Sequence, residues 1–183
     1  MKKLFKSALF IFILGMLLFV VTRLLTPLPQ SDVAGFYRLP KNSLDFITVG
    51  SSHAYCTFNP IELKKKTHRN SFTFAAPMLS LQGRVCYLNE VFKTQKPKIV
   101  FMDMTLLDSP KSYFESHRHN IYSYLPASYN HYSFALRSVE PKHWEEMVVP
   151  LKLYHSNWKT FSKSSVNYFL NGSESKRGYL GPI

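Results

Sequence analysis

The most informative residues of this chain are Gly50-Ser51-Ser52-His53, which follow the apolar run 46–49. A β-branched and aromatic run that stops at glycine is typical of a buried strand ending at the top of an α/β sheet. A serine at such a strand-to-helix turn can attack an acyl carbonyl when a base removes its proton and backbone N–H groups hold the oxyanion. We therefore take Ser52 as the candidate nucleophile. The simpler interpretation is that Ser51 or Ser52 only caps the following turn.

The elements that must position this turn alternate between strand and helix. The pattern gives apolar strands over 46–49, 71–74 and 99–102, a short helix opened by Asn59-Pro60 and ending at Lys66, and a helix over 80–93. Alternating elements with short connections indicate a parallel sheet wrapped by helices. We predict an α/β fold of the flavodoxin-like three-layer type, with helices on both faces and its first and third strands buried.

The second half of the chain is less regular. Residues 113–132 are rich in Tyr, His, Ser and Asn, which is compatible with a long loop or with short helices over the catalytic edge. Residues 143–162 have helical spacing, with Pro150 expected to kink or interrupt the helix. Residues 171–182 are polar and offer no closing element. We therefore expect an incomplete sheet and a chain that is the N-terminal portion of a longer protein.

The N-terminus carries a membrane-spanning pattern. Lys2, Lys3 and Lys6 lie around the start of the apolar run 8–21, and Leu4, Phe5, Leu24 and Leu25 extend its apolar character at both ends. With these extensions the segment is just long enough to cross a bilayer as a helix. The positive-inside rule keeps these lysines in the cytoplasm. A cleaved signal peptide is the alternative, but no Ala-x-Ala site follows closely, which favours an uncleaved anchor. We predict a single-pass protein of the cell membrane.

The domain boundaries follow from that anchor. Residues 1–26 form the cytoplasmic lysines and the transmembrane helix, 27–42 form a linker, and 43–183 form one extracytoplasmic α/β domain.

The charge of the chain indicates its partners. Among 183 residues, 23 Lys and Arg stand against 11 Asp and Glu, a formal charge of +12. Such a charge attracts anionic lipid headgroups or an anionic cell-surface glycopolymer. Nucleic acid, the other usual partner of a basic protein, is not expected for an exported domain. The run Lys64-Lys65-Lys66, taken alone, is typical of a solvated helix face.

The serine turn is also the centre of a resemblance. Residues 46–55, Asn59-Pro60 and residues 97–103 together resemble the SGNH (GDSL-like) hydrolase superfamily. The resemblance is to its membrane-anchored members from bacterial cell-surface polymer gene clusters, related to teichoic acid D-alanyl transfer and alginate O-acetylation proteins. It implies that Ser52 is the nucleophile and donates its N–H to the oxyanion. It also implies that Gly50 and Ser51 form the turn, with Ser51 at the family's aspartate position.

Other family blocks are missing from the chain. The Gly-x-Asn-Asp block is absent, and the oxyanion glycine has no counterpart between 75 and 83. No aspartate precedes a histidine by three residues, as the family's general base requires, at any of His117, His119, His131, His143 and His155. His53 is too close to Ser52 in sequence to act easily as its base, so we expect it to be buried or to support the turn. The chain as given is therefore expected to be inactive.

No metal or cofactor is expected. His117-Arg118-His119 has no acidic or cysteine partner at ligand spacing, which favours a surface loop. Cys56 and Cys86 are interpreted as small buried hydrophobes and not as a disulfide.

Two functions remain open. The first is a membrane-anchored acyl or acetyl esterase or transferase that acts on cell-surface polysaccharide or teichoic acid, together with a membrane-bound acyltransferase. The second is a non-catalytic tethered module that binds an anionic polymer during its export.

Overall fold

The computed structural model describes residues 2–26, 32–105, 125–126, 128–171 and 177–179. The chain divides into two compact units, one made of residues 1–28 and 145–172 and the other of residues 29–144 and 173–183. This grouping differs from the predicted single domain 43–183, because residues 145–172 group with the N-terminal segment.

The α-helices and strands follow one another in an order that alternates through the first half of the chain. They are α1 (Lys2–Leu25), α2 (Val33–Phe36), β1 (Phe46–Gly50), α3 (Ser52–Thr57), α4 (Pro60–Thr67), β2 (Ser71–Ala75), α5 (Leu81–Thr94), β3 (Ile99–Met102), α6 (Tyr129–Ser138), α7 (Glu145–Val148), α8 (Leu151–Tyr154) and α9 (Lys163–Asn171). Two 3₁₀ segments, Pro141–His143 and His155–Thr160, flank α7 and α8.

The second unit is built on a parallel sheet of three strands in the order β2-β1-β3. Phe46 is in register with Ser71 of β2 and with Ile99 of β3, so the three strands begin and end together. Helices flank this sheet, which confirms the predicted α/β class. The predicted cap of α4 is also confirmed, since Asn59 Oδ1 accepts the N–H groups of Ile61 and Glu62 at 3.0 and 3.2 Å.

The first unit contains α1, which is long and apolar enough to cross a membrane by length and composition. Near the end of α1, the carbonyl of Leu25 accepts a hydrogen bond of 2.9 Å from Asn157 Nδ2. The helical prediction for 143–162 is confirmed only as short pieces, with Pro150 at the cap position before α8. The helix α9 was not predicted.

An aromatic cluster forms the centre of the sheet's core. Phe74 of β2 stacks on Phe36 with ring centroids 4.4 Å apart. Tyr87 of α5 packs against Phe74, with ring centroids 4.6 Å apart. Phe36, Phe74 and Tyr87 are each at most 1% exposed. Phe36 lies inside the predicted linker 27–42, so that prediction is wrong for the residues of α2. Residues 27–31 lie outside the described residues.

The two outer strands of the sheet differ in their surroundings. Beside β2, the carbonyl of Arg177 accepts the N–H of Thr73 at 2.9 Å. Gly178 follows with a φ of +84°, and a Cβ there would lie 1.7 Å from the Thr73 carbonyl oxygen, so glycine is required. On the other side, no strand within the described ranges pairs with the outer edge of β3. Ile99 and Phe101 are 45% and 40% exposed, so the prediction that this strand is buried is wrong.

The cysteines and the residues after 105 correct further expectations. Both thiols are free, but Cys56 is exposed and only Cys86 is buried. Burial raises the pKa of the Cys86 thiol to about 12. Within the predicted loop region 113–132, residues 113–124 and 127 lie outside the described residues. Its last residues begin the regular helix α6.

Truncation of Phe36 tests its place in the core. We expect Phe36→Ala to lower the free energy of unfolding by about 3–5 kcal/mol, because it opens a cavity against Phe74. Phe92→Ala is the matched control. Phe92 is 53% exposed, so this variant should lose much less free energy of unfolding. Denaturant unfolding of the detergent-solubilised chain measures both, and equal losses would contradict a core role for α2.

Candidate active site

The serine turn lies at the carboxyl edge of the sheet, as predicted. Strand β1 ends at Gly50, and α3 begins at Ser52 with Ser51 in the cap position. The Ser51 side chain makes no capping hydrogen bond to α3, so it does not act as a simple helix cap. Its hydroxyl is instead directed to the neighbouring strand.

Ser51 is bound to the carboxylate of Asp103. Its Oγ donates to Asp103 Oδ2 at 2.5 Å, and its backbone N–H donates to the same oxygen at 3.0 Å. Asp103 follows directly after β3, which is the parallel neighbour of β1, so the two strand ends bring these residues together. Ser51 is fully buried, and its proton is committed to a carboxylate. Ser51 is therefore a poor candidate for attack on a substrate.

The close approach of the two strand ends depends on Gly50. A Cβ at this position would lie 2.4 Å from Asp103 Cβ and 2.8 Å from Ala54 Cβ. Neither neighbour is the far end of a flexible side chain, so a larger residue would push the strands apart. The glycine is required here by packing and not by an unusual backbone angle.

Thr105 completes the binding of the carboxylate. Its N–H donates to Asp103 Oδ1 at 2.8 Å, and its hydroxyl donates to Oδ2 at 3.0 Å. Burial would raise the pKa of Asp103, but the hydrogen bonds from Ser51 and Thr105 outweigh it and hold that pKa well below its usual range. The site therefore contains a stable carboxylate anion.

Arg84 of α5 fixes the segment that follows β3. Its guanidinium donates to the backbone carbonyls of Asp103 and Thr105. The side chain is completely buried, and this burial lowers the pKa of Arg84, while the Asp103 charge opposes the shift. A planar guanidinium can hold two carbonyls at once, which a lysine cannot reproduce. Arg84 thus ties α5 to the same edge of the sheet.

His53 lies beside this network. Its Nδ1 is 3.3 Å from Ser51 Oγ and 3.4 Å from Thr105 Oγ1. The expectation that His53 is buried is wrong, because the residue is exposed even though its ring contacts Ser51 and Thr105. Its contact with Ser51 agrees with a supporting position.

Ser52 differs from Ser51 in its surroundings. It is the first residue of α3 and is half-buried, and within the described part of the chain its hydroxyl has no hydrogen-bond partner. No described histidine or carboxylate therefore activates it. Of the other histidines considered as bases, His117 and His119 lie outside the described residues. The turn offers an unengaged hydroxyl beside a rigid, charged support.

Sequence reasoning missed three residues of this site, namely Asp103, Thr105 and Arg84. In the sequence, Asp103 is only the last residue of the segment 97–103, directly after the third predicted strand. In a 2-1-3 strand order the first and third strands are neighbours, so their carboxyl ends meet at the switch point where open α/β sheets bind ligands. Applying that rule would have placed Asp103 beside Ser51. Nothing in the pattern around Arg84 indicates its contacts.

The described residues contain no group of three or more His, Cys, Asp and Glu that could hold a metal ion. A cleft of about 920 Å³ lies between α5 and α6, lined among others by Asn89, Phe134 and Trp144. Neither Ser51 nor Ser52 lines it, so the candidate site is defined by its chemistry and not by the size of a cavity.

Comparison of the chain with protein-family models, with curated proteins and with solved structures finds no match. The fold and the site together define an α/β protein with a serine-bearing turn at the switch point of a parallel sheet.

Enlarging Gly50 tests the packing of the turn. We expect Gly50→Ala to lower the free energy of unfolding by about 1–3 kcal/mol, because the new methyl group overlaps Asp103 and Ala54. Gly15→Ala is the matched control, since a Cβ there meets nothing within 4 Å. Thermal unfolding in detergent compares the two variants, and an unchanged Gly50→Ala protein would mean that the strand ends are not tightly apposed.

The pH dependence of stability tests the Asp103 carboxylate. Because its folded pKa lies below the unfolded value, its contribution is complete above about pH 4 and is lost as the pH falls through the folded pKa. We expect Asp103→Asn to cost about 1–3 kcal/mol of unfolding free energy at neutral pH, with the difference from wild type shrinking in acid.

Denaturant titrations across that pH range provide the measurement. Glu145→Gln is the control, because Glu145 is an exposed carboxylate that pairs with Lys152 at the surface and should contribute little. A difference for Asp103→Asn that stays constant with pH would show that the charge of Asp103 does not stabilise the fold.

Proposed function

We propose that this chain carries the nucleophile of a membrane-anchored serine esterase or acyltransferase that acts on cell-surface polysaccharide or teichoic acid. The observation that supports the proposal is the division between the two serines. Ser51 is buried and bound to Asp103, whereas Ser52 is half-buried with an unengaged hydroxyl at the switch point of the sheet. The resemblance to SGNH hydrolases adds the acyl class of substrate.

In the proposed reaction, Ser52 Oγ attacks the carbonyl carbon of an ester or acyl donor. The bond from that carbon to the leaving oxygen breaks, the leaving group takes up a proton, and an acyl-serine remains. Water or a polymer hydroxyl then attacks the acyl-serine and restores the Ser52 hydroxyl. A membrane-bound acyltransferase is the proposed source of the acyl group, and the reaction needs no cofactor.

The residues around Ser52 support two parts of this chemistry. The N–H of Ser52 is the first of α3 and precedes the N–H of Ala54, which donates to the Ser51 carbonyl at 3.1 Å, so the Ser52 N–H is suited to an oxyanion. The Ser51, Asp103 and Arg84 contacts hold the turn rigid, which keeps the nucleophile in a fixed position. The proton of Ser52 requires a base from beyond the described residues, since His53 is directed to Ser51.

A serine-reactive fluorophosphonate tests the proposal on the full chain in detergent. We expect the probe to modify Ser52 at least about tenfold faster than an unactivated serine, and Ser52→Ala to abolish that labelling. Ser51→Ala should slow it, because the turn loses its bond to Asp103. Peptide mass spectrometry identifies the modified residue.

The exposed Ser156 provides the matched control. Its labelling in the wild-type chain sets the rate of an unactivated serine, and Ser156→Ala should leave Ser52 labelling unchanged. Equal rates at Ser52 and Ser156 would contradict an activated nucleophile.

The second candidate is the non-catalytic module that binds an anionic polymer. It is favoured by the lack of any described base at Ser52 and by the formal charge of +12. In that case the probe would ignore Ser52, while a soluble anionic polymer would bind the chain in a salt-dependent manner.

A further inference from the structure

The edge of the sheet opposite to the serine turn is basic. It contains the residues that precede the three strands, with Asp45 before β1, Arg69 before β2 and Lys98 before β3. Asp45 Oδ1 lies 3.4 Å from Arg69 Nη1 and 3.3 Å from Lys98 Nζ. One carboxylate is thus shared by two cations.

Two helices bring more cations to this edge, because each helix ends where the next strand begins. The last turn of α4 carries three consecutive lysines, and the end of α5 carries one more, followed by another in the loop before β3. We call the resulting set the basic edge: Lys64, Lys65, Lys66, Arg69, Lys93, Lys96 and Lys98, all of them exposed.

The carboxylates near these residues do not cancel the charge. Asp45, Glu62 and Glu90 each form an ion pair with a member of the basic edge, and Glu90 is itself only 2% exposed. The basic edge therefore presents an excess of positive charge to solvent.

A groove at this edge has the chemistry of an anion site. Its volume is about 540 Å³, and it is lined by Ile61, Lys64, Lys65, His68 and Arg177. Arg177 is oriented by a hydrogen bond of 2.9 Å from its Nη1 to the Ser71 carbonyl. Lysine and arginine donors around one space suit the oxygens of a phosphate group.

We propose that the basic edge docks on anionic lipid headgroups, with a headgroup phosphate in the Lys64, Lys65 and Arg177 groove. A lipid is favoured over a soluble polymer because only residues 26–31 separate the apolar helix, which ends at Leu25, from Asp32 in the sheet unit. The chain therefore keeps this unit near any bilayer that holds the helix. Basic residues close to a bilayer are attracted by anionic lipids within about a Debye length.

This docking would orient the site. The basic edge lies where the strands begin, and the serine turn lies where they end. A sheet that contacts lipid through the basic edge therefore presents Ser52 away from the bilayer. A polymer substrate would then approach from the side opposite the membrane. This inference does not depend on Ser52 being a nucleophile.

Lysine acetylation on the full chain in lipid nanodiscs tests the docking. The discs contain phosphatidylcholine alone or a roughly 3:1 mixture of phosphatidylcholine with phosphatidylglycerol. We expect Lys64 and Lys98 to be acetylated at least about threefold more slowly in the anionic discs, with the protection lost in about 1 M salt. Lys142, an exposed lysine paired with Glu140 outside the basic edge, should react equally in both.

Charge-neutralised variants make the test specific. Lys64→Gln combined with Lys66→Gln leaves the Lys65 to Glu62 pair intact and should weaken the protection of Lys98. Lys142→Gln should leave the protection of Lys98 unchanged. Equal acetylation of Lys98 in both kinds of disc would overturn the proposal. Protection in neutral discs by soluble poly(glycerol phosphate), without protection by phosphatidylglycerol, would assign the basic edge to a polymer and also overturn it.

Discussion

The hydrogen bonds between Ser51 and Asp103 join the end of the central strand β1 to the end of its neighbour β3. They run between residues that immediately follow β1 and β3, and they add to the backbone hydrogen bond of 2.9 Å from the Asp103 N–H to the Val49 carbonyl. Gly50 allows the approach, since any side chain there would meet Asp103. The buried side chain of Arg84 then binds the backbone carbonyls of Asp103 and Thr105 and couples α5 to the same point. Removing a carboxylate even partly from water is costly unless its oxygens accept hydrogen bonds, and Ser51 and Thr105 donate these bonds to Asp103.

This arrangement separates the roles of two adjacent hydroxyls. The Ser51 hydroxyl donates to the Asp103 carboxylate at 2.5 Å, and another rotamer of Ser51 would lose this charge-assisted hydrogen bond. Ser51 is therefore a structural part of the turn. The next residue, Ser52, begins α3, so the same turn fixes its backbone. Its hydroxyl has no hydrogen-bond partner in the described part of the chain. The same network that stabilises the turn is what makes Ser52 the better candidate for chemistry.

The sequence predicted those features that depend on local pattern. The three strands and the helix α4 were recognised because β-branched runs, Asn59 and Pro60 act within a few residues. Burial was predicted less well, since an apolar strand such as β3 is buried only when other elements cover it. The burial of Phe36 was not predicted, because a four-residue helix after a proline-rich stretch has no periodicity to detect. Two partners of Ser51, Asp103 and Thr105, lie more than fifty positions away, and only the strand order connects them to the turn.

The parallel sheet also gives the molecule a direction. Because all three strands run the same way, every strand entry lies at one edge and every strand exit at the other. The returning helices α4 and α5 end at the entry edge, where lysines complement the negative ends of the helix dipoles. The exit edge instead collects short polar residues at the turn and a carboxylate. The shared direction of β1, β2 and β3 thus places a cationic surface at one edge of the sheet and a hydroxyl-bearing site at the opposite edge.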